Sequence, residues 1–530
     1  MSRSISVFKK LKRRIWIDGP TWRFIRFNQA KWKRKPFQKK NSTILVDIFD
    51  MNPLIYCFSN IANYLAEVTD SSVAAFHLAK SLFTKIGISE RRLEKIYESF
   101  GAGLELKISS AHTDKYEAAA KEFATKKFNG LKSKWDVINI DIDGLKIGDL
   151  IYDTYLRKGF HTVDIKDPLL LSIIEDAYLI FQISKNFIQE RNVKAVLTSH
   201  TVYISHGILV RLALQKDIPI YTLMDNDGLV ITDIQKETYY HFKYHIYKKT
   251  FDTLPEAEKP KLRAQAKKVL TERMLGAIDA GIADMILEEG RPGLAGYGAI
   301  AKERILKDTG RPRVIVMLNC FFDAPHCYRD MLFPDFQEWI EFVLQKASQT
   351  SFDWYLKPHP AGMAANDLVV EDLKKKFPKI TFLPRSASNR QILQEGINSM
   401  FTVFGTAAHE FAYAGVPTVT AGDNPHINYN FNFHPKTIEE YEKYILNADK
   451  LKIDIDKTQI EEFFYMHYIH TFLRNEFGAR LIDEECEYSK LGYKSNDSSI
   501  FDSYIRGENS EKDKKVRTFF NKYFSRQLHG

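Results

Sequence analysis

Three segments of this chain set a cation, an imidazole or a carboxylate beside residues that fix the local backbone. In Lys357-Pro358-His359-Pro360 two prolines lock the chain, so Lys357 and His359 are aimed from a rigid turn. A fixed cation beside an imidazole suits the phosphate of a nucleotide leaving group; a proline-rich turn with solvated side chains is the plainer reading. Gly405-Thr406-Ala407-Ala408-His409-Glu410 reads as the passage from a strand into a helix. Gly405 permits close backbone approach, Thr406 can cap the helix, and the free N–H groups of a first turn attract an anion. His409 and Glu410 follow within that turn, where a carboxylate suits ribose hydroxyls. The same letters also describe a helix that is simply well capped, its acid favoured by the helix dipole. The third segment, Asp423-Asn424-Pro425-His426, places Asn424 in a base-binding or substrate loop, or in a polar turn with no ligand.

Groups able to move a proton or attack a carbon stand in the first half. Asp149 and Asp153 lie four apart, which puts them on one helical face as paired acids or as surface acids near a helix start. His200 ends the segment VKAVLTSH and His206 enters the next helix, so each is either a base or a hydrogen-bonded structural residue. Arg211 holds an anion or lies along a helix surface. Asp225 and Asp227 fall in Asp225-Asn226-Asp227-Gly228. Asp141-Ile142-Asp143 has the letters of a metal-binding Asp-x-Asp motif but reads as strand alternation. The four cysteines, Cys57, Cys320, Cys327 and Cys486, have neither zinc-knuckle spacing nor the density of a disulfide framework. No metal site and no bound cofactor is expected.

Strands alternating with helices must hold these residues, which signals an α/β fold with parallel sheets. In the first half, ILVDIF (44–49), VINIDID (137–143), VKAVLTSH (193–200) and PIYTL (219–223) read as strands. Residues 71–98, 168–191 and 204–218 read as helices. In the second half, strands at 313–322, 352–360, 380–384, 399–405 and 416–422 alternate with helices near 334–349, 366–376, 388–396 and 406–414. Ligands in open α/β sheets bind outside the carboxyl ends of strands, where Lys357, Gly405 and Asn424 fall. The organisation expected is an arm at 1–40, a first domain at 41–235 and a charged helical connector at 236–310. A second domain at 311–455, a crossover helix region at 456–488 and a polar tail at 489–530 complete it.

With 530 residues, 44% hydrophobic and 13% aromatic, the chain is long enough for two cores and is not a disordered sequence. No stretch approaches the ~20 apolar residues of a spanning helix, and the N-terminus lacks a signal-peptide core. A reducing, cytoplasmic setting is expected. The net charge of +9 is unevenly placed. Residues 1–40 hold fourteen Lys and Arg against Asp18 alone, a charge of +13, so the other 490 residues sum to −4. That mildly acidic body argues against a nucleic-acid binder. The arm interleaves its charge with Trp16, Trp22 and Trp32, a mixture that suits an anionic membrane surface or an arm packed on its own domain.

The ordered set KPHP, FGTAAHEFAYAGVPTVTAGDNPH and FFYMHYIH (463–470) resembles the nucleotide-binding half of GT-B glycosyltransferases of bacterial capsule and surface-polysaccharide loci. IDGLKIGDLIYDTYLR (142–157) and TSHTVYISHGILVRLAL (198–214) are similar to the acceptor half of those proteins. The resemblance covers roughly 130–230 and 310–470. It implies a GT-B-like α/β fold with two Rossmann-like domains facing a cleft, a nucleotide-sugar donor of CMP or UDP type on the second, and a glycan or lipid-linked acceptor. The basic, tryptophan-bearing arm, which the resemblance does not cover, is expected to hold the protein peripherally on the inner face of the membrane. His359-Pro360 also resembles the His-Pro motif of transferases that use CMP-activated sialic or Kdo-type sugars, in which the histidine contacts the donor phosphate. The acidic D/E-D/E-G motif of those enzymes is met imperfectly by Asp225-Asn226-Asp227-Gly228. Because GDLIYD lies inside the family-like stretch, Asp149 and Asp153 rank first for the acceptor side, the two histidines second, and Asp225 with Asp227 third. A polyol-phosphate transferase, a nucleotide-sugar 2-epimerase and a non-catalytic assembly protein remain alternatives.

Overall fold

Ile44, Leu45 and Val46 follow one another without a polar break, which suits a strand covered on both faces. The computed structural model describes residues 17–32, 41–79, 89–224, 228–231, 234–240, 243–275, 300–359, 364–470, 498–507 and 518. In it these three residues belong to β1 (Ser42–Asp47), in the middle of a six-stranded sheet. A helix α1 (Gly19–Trp32) precedes β1, and α2 (Asn52–Val68), β2 (Ser72–His77), α3 (Ser89–Ser99), β3 (Gly103–Lys107) and α4 (Ser110–Asn129) follow it. Next come α5 (Lys134–Ile138), a hairpin of β4 (Asp141–Ile142) and β5 (Leu145–Lys146), α6 (Gly148–Arg157) and α7 (Pro168–Glu190). The sheet is completed by β6 (Asn192–Thr198), α8 (Ile208–Gln215), β7 (Ile220–Met224) and β8 (Gly228–Ile231). Its order is β3-β2-β1-β6-β7-β8, parallel except for the last pair, with Ile44 opposite both Val73 and Ala195. Ile44 and Val46 join Ile55, Phe58 and Leu65 of α2 in one core. Leu45 faces the other way, into a core with Ile174 and Phe181 of α7 and Leu209 of α8.

After α9 (Lys243–Asp252) and α10 (Lys259–Met274) the second sheet repeats the plan. Its elements are β9 (Arg313–Met317), α11 (Phe336–Ala347), β10 (Asp353–Lys357), α12 (Ala364–Lys376), β11 (Thr381–Phe382) and α13 (Asn389–Glu395). They continue through β12 (Ser399–Thr402), α14 (Ala407–Tyr413), β13 (Thr418–Thr420), α15 (Ile438–Leu446) and α16 (Lys457–Phe464). All five strands are parallel, in the order β11-β10-β9-β12-β13. Val314 and Val316 pack with Trp339 and Val343 of α11 on one face. Ile315 and Met317 pack with Ile392 of α13 and Phe411 of α14 on the other. The chain is α/β with two parallel sheets, as expected.

Several boundaries differ from the sequence reading. Residues 72–77, expected as helix, are β2, because their run of four buried residues pairs on both sides with β1 and β3. VINIDID is strand only at Asp141 and Ile142: Ser133 and Asp136 form a capping box that starts α5, and the hairpin turns at Asp143 and Gly144 with φ of 52° and 78°. The connector does not stand apart. Ala266 and Leu270 of α10 are buried with Tyr429, Phe463 and Phe464 of the second half.

The described parts of the arm and of the tail dock on the first half, which for the arm is the packed alternative that the sequence left open. Phe24, Ile25 and Trp32 of α1 are buried in the core around α2. Helix α17 (Ile500–Gly507) lies beside them, with Phe501 stacked on Phe24 at 4.3 Å, Tyr504 stacked on Tyr56 at 4.1 Å, and Asp502 accepting from Arg23 at 2.7 and 2.6 Å. So the apolar side of α1 faces protein, while Trp22 stays half exposed. Residues 1–16 and 33–40 lie outside the described residues. No helix among the described residues is long and apolar enough to cross a membrane.

The docked α1 is expected to contribute to folding. Phe24→Ala should lower stability by about 3–5 kcal/mol, read as a drop in urea midpoint. An unchanged midpoint would mean that α1 does not share the core.

Candidate active site

In a doubly wound sheet, the crevice opens where neighbouring strands send their helices to opposite faces. In the first sheet that point lies between β1 and β6, whose helices α2 and α8 fall in different cores. In the second it lies between β9 and β12, followed by α11 and α14 on opposite faces. Each crevice collects polar side chains.

At the first crevice, β1 ends in Asp47, a buried acid. Its Oδ2 accepts from Ser199 Oγ at 2.5 Å and from the Ser199 amide at 3.2 Å, and His206 Nε2 lies 3.4 Å away. Burial alone would raise its pKa, but the charge and hydrogen bond of His206 and the bonds from Ser199 hold it at about 2. Ser199 Oγ in turn lies 2.9 Å from His200 Nδ1. The His200 ring sits 5.4 Å from Phe49 and 5.6 Å from His206. Burial, with the charges of His206 and Arg157, brings His200 down to about 4 against the pull of Asp47. His206 belongs to a π-turn, Tyr203–Gly207, of the kind frequent at functional sites. Tyr203 enters it with a φ of 62°, and a Cβ on Gly207 would meet Leu150 Cδ2 at 2.5 Å. The turn is therefore pressed onto α6.

At the second crevice, Asn319 after β9 donates to the Phe404 carbonyl after β12 at 2.8 Å. Lys357, the last residue of β10, is buried, and that burial brings its ammonium down to about 8 while Glu410 pulls the other way. His359 follows, lowered to about 4 by burial and by the charges of Lys357 and Arg385, with Asp323 opposing. Gly405 has a φ of 141°, and a Cβ there would meet nothing within 4 Å, so it borders open space.

The loop 318–335 after β9 reaches the first half. Asp335 caps α11, accepting from the Glu338 amide at 2.8 Å, and its other oxygen accepts from Tyr152 Oη at 2.5 Å and Thr162 Oγ1 at 2.6 Å. His326 Nδ1 lies 2.6 Å from Asp153 Oδ1, both side chains being buried. Burial pushes Asp153 up to about 6 despite His326, while His326, which burial would lower, is raised by Asp153. Asp323 of the same loop is among the charges that reach Tyr203 and His359. The two crevices thus meet across one loop.

The remaining expected residues have structural partners. Asp149 does not share a proton with Asp153: it is forked by buried Arg211, whose Nη1 reaches its Oδ1 at 2.7 Å and the Lys146 carbonyl at 2.6 Å. Thr406 starts the seven-residue α14 without a side-chain cap. Glu410 is buried and accepts from Arg273 Nε of α10 at 2.6 Å. His409 packs on Phe463 at 5.1 Å in the core beneath α16. Asn424 donates to the Val403 and Gly422 carbonyls at 3.0 Å each, tying two strand-end loops together. Asp225 and Asp227 lie outside the described residues. Among the described residues no three His, Cys, Asp or Glu side chains are grouped to hold a metal.

Sequence reasoning passed over Asp47, Ser199, His326, Asp335 and Arg273. An acid at the end of the apolar run ILVD was the one available signal. The others need a partner supplied by the fold.

No protein-family model matches the chain, and no curated protein matches it in sequence. Solved structures do. A β-Kdo 2,4 transferase, KpsC of Thermosulfurimonas dismutans, matches at 14% identity over 52% of this chain and 79% of its own, with a TM-score of 0.33. The β-Kdo 2,7 transferase of the same KpsC matches at 11% over 62% and 90%, with 0.32. A UDP-GlcNAc 2-epimerase of Methanocaldococcus jannaschii, in complex with UDP-GlcNAc and UDP, matches at 10% over 79% and 97%, with 0.25. At such scores these likenesses carry no weight in assigning an activity.

The buried histidines make stability depend on pH. His77, His200, His359 and His434 are lowered to about 4, and His409 and His426 are also lowered, burial being the first cause in each. Below about 6.5 the unfolded chain binds protons that the folded chain refuses, so stability should fall as pH drops from 6.5 to 4. The His326–Asp153 pair has the opposite sign but is one pair against six histidines. Urea midpoints at pH 7.5, 5.5 and 4.5 should decline in that order; a flat series would contradict the burial.

Proposed function

We propose that the protein transfers a sugar from a nucleotide-activated donor, of CMP or UDP type, to a hydroxyl of a glycan or lipid-linked acceptor. The observation that carries this reading is the pair of strand-end crevices meeting across the 318–335 loop, with a cation and an imidazole at one and an acid–imidazole set at the other. Lys357 and His359 would meet the donor phosphate. Their surroundings suit them to it, since an ammonium brought to about 8 is still mostly charged at neutral pH, and an imidazole near 4 is neutral and donates a hydrogen bond. Gly405 leaves room for the phosphate to approach the backbone. The resemblance of KPHP and the following segments to GT-B transferases points the same way. An anionic membrane as partner of residues 1–40 now rests on their charge, since the buried aromatics of α1 face the core.

The test is incubation with CMP-, UDP-, GDP- and CDP-activated donors. At least one should release its nucleotide, and His359→Ala, still folded, should turn over ~100-fold more slowly or worse. No turnover with any donor, or near wild-type rate in His359→Ala, would contradict the proposal. Inversion at C2 of a UDP-sugar without net transfer would replace it with the epimerase reading.

A further inference from the structure

We infer that His200 is the base that takes the acceptor proton, and that Ser199 and Asp47 position it by fixing which ring nitrogen carries hydrogen. This deepens the function proposed above and rests on it for the identity of the acceptor.

What each group can donate decides where the hydrogens lie. A carboxylate only accepts, so at 2.5 Å the single hydroxyl hydrogen of Ser199 points at Asp47 Oδ2. Ser199 Oγ then has only lone pairs left for His200 Nδ1 at 2.9 Å, and that nitrogen must carry the hydrogen. Nε2 of His200 is left with its lone pair. The chain His200–Ser199–Asp47 therefore selects one tautomer and runs from a partly exposed residue to a buried charge. It sits at the point between β1 and β6 where the sheet opens. His206 cannot serve in the same way, since Ser205 Oγ lies 2.8 Å from its Nδ1 and Asp47 lies 3.4 Å from its Nε2. It supports Asp47.

In the transfer step the acceptor O–H proton passes to His200 Nε2, the acceptor oxygen bonds to the donor sugar carbon, and the bond from that carbon to phosphate breaks. The nucleotide leaves with the electron pair. Asp47 then faces an imidazolium across Ser199, and the proton returns to water. The charged or titratable groups around His200 are Asp47, His206 and Arg157, with His77 next to Asp47 and His206.

Two readouts test this in the full chain. The first needs no substrate: in ¹⁵N-histidine protein at pH 7.5, the His200 resonance, assigned by its loss in His200→Gln, should show hydrogen on Nδ1. Ser199→Ala should shift hydrogen to Nε2 and Ser199→Thr should restore Nδ1. Hydrogen on Nε2 in the wild type, or no change in Ser199→Ala, overturns the relay. The second uses whichever donor the panel identifies. His200→Gln should lose ~100-fold or more of transfer while nucleotide binding persists. Ser199→Ala should lose about tenfold in kcat with KM unchanged, recovered in Ser199→Thr. A fully active His200→Gln overturns the assignment. A wild type inert toward every donor, with the tautomer as expected, counts against the reaction and not against the relay.

Discussion

Asp335 is a helix cap that belongs to two domains. One oxygen starts α11 in the second half, and the other accepts from Tyr152 and Thr162 in the first. A few residues earlier, His326 and Asp153 share a proton in a buried setting. Burial favours the uncharged acid and the carboxylate favours the charged ring, so the pair as a whole carries no net charge. Removing one partner of such a pair leaves the other buried and alone, which typically costs ~3–5 kcal/mol. The loop carrying both contacts leaves the central strand of the second sheet, so these contacts set the distance between the two crevices.

Other buried ion pairs brace this arrangement. Arg211 forks Asp149 and ties α8 to α6, holding the π-turn that contains His206. Arg273 binds Glu410 and ties α10 to α14 beneath the second crevice. With these acids neutralised by arginine, the proposal rests on Lys357 and His359 at one crevice and on His200 with its Ser199–Asp47 support at the other. The transfer proposed above needs a cation for the leaving phosphate and a base for the acceptor hydroxyl.

The sequence made the architecture legible, because apolar runs such as IVM and ILV need a sheet covered on both faces. It also put Lys357 and His359 at the end of a strand, since two prolines and a strand end are local features. It did not find the partnerships. Asp153 meets His326 across 173 residues, Asp47 meets Ser199 across 152, and Glu410 meets Arg273 across 137. A carboxylate looks the same in sequence whether it is a base or the counter-ion of an arginine, so the Arg211 fork on Asp149 could not be read there. The arm left two readings open for a related reason: whether Phe24 and Trp32 are covered by protein is decided by α17 and α2 beside them.

The proposed transfer depends on a nucleotide seated at the β9–β12 crevice. Hydrogen–deuterium exchange of the full chain, with and without saturating CMP or UDP, reads this directly. Slowed exchange is expected for one of the two nucleotides in the segments 318–328, 357–359 and 403–406, with little change in α1 or α17. Protection confined to other parts of the chain, with a nucleotide shown to be bound, would contradict that placement.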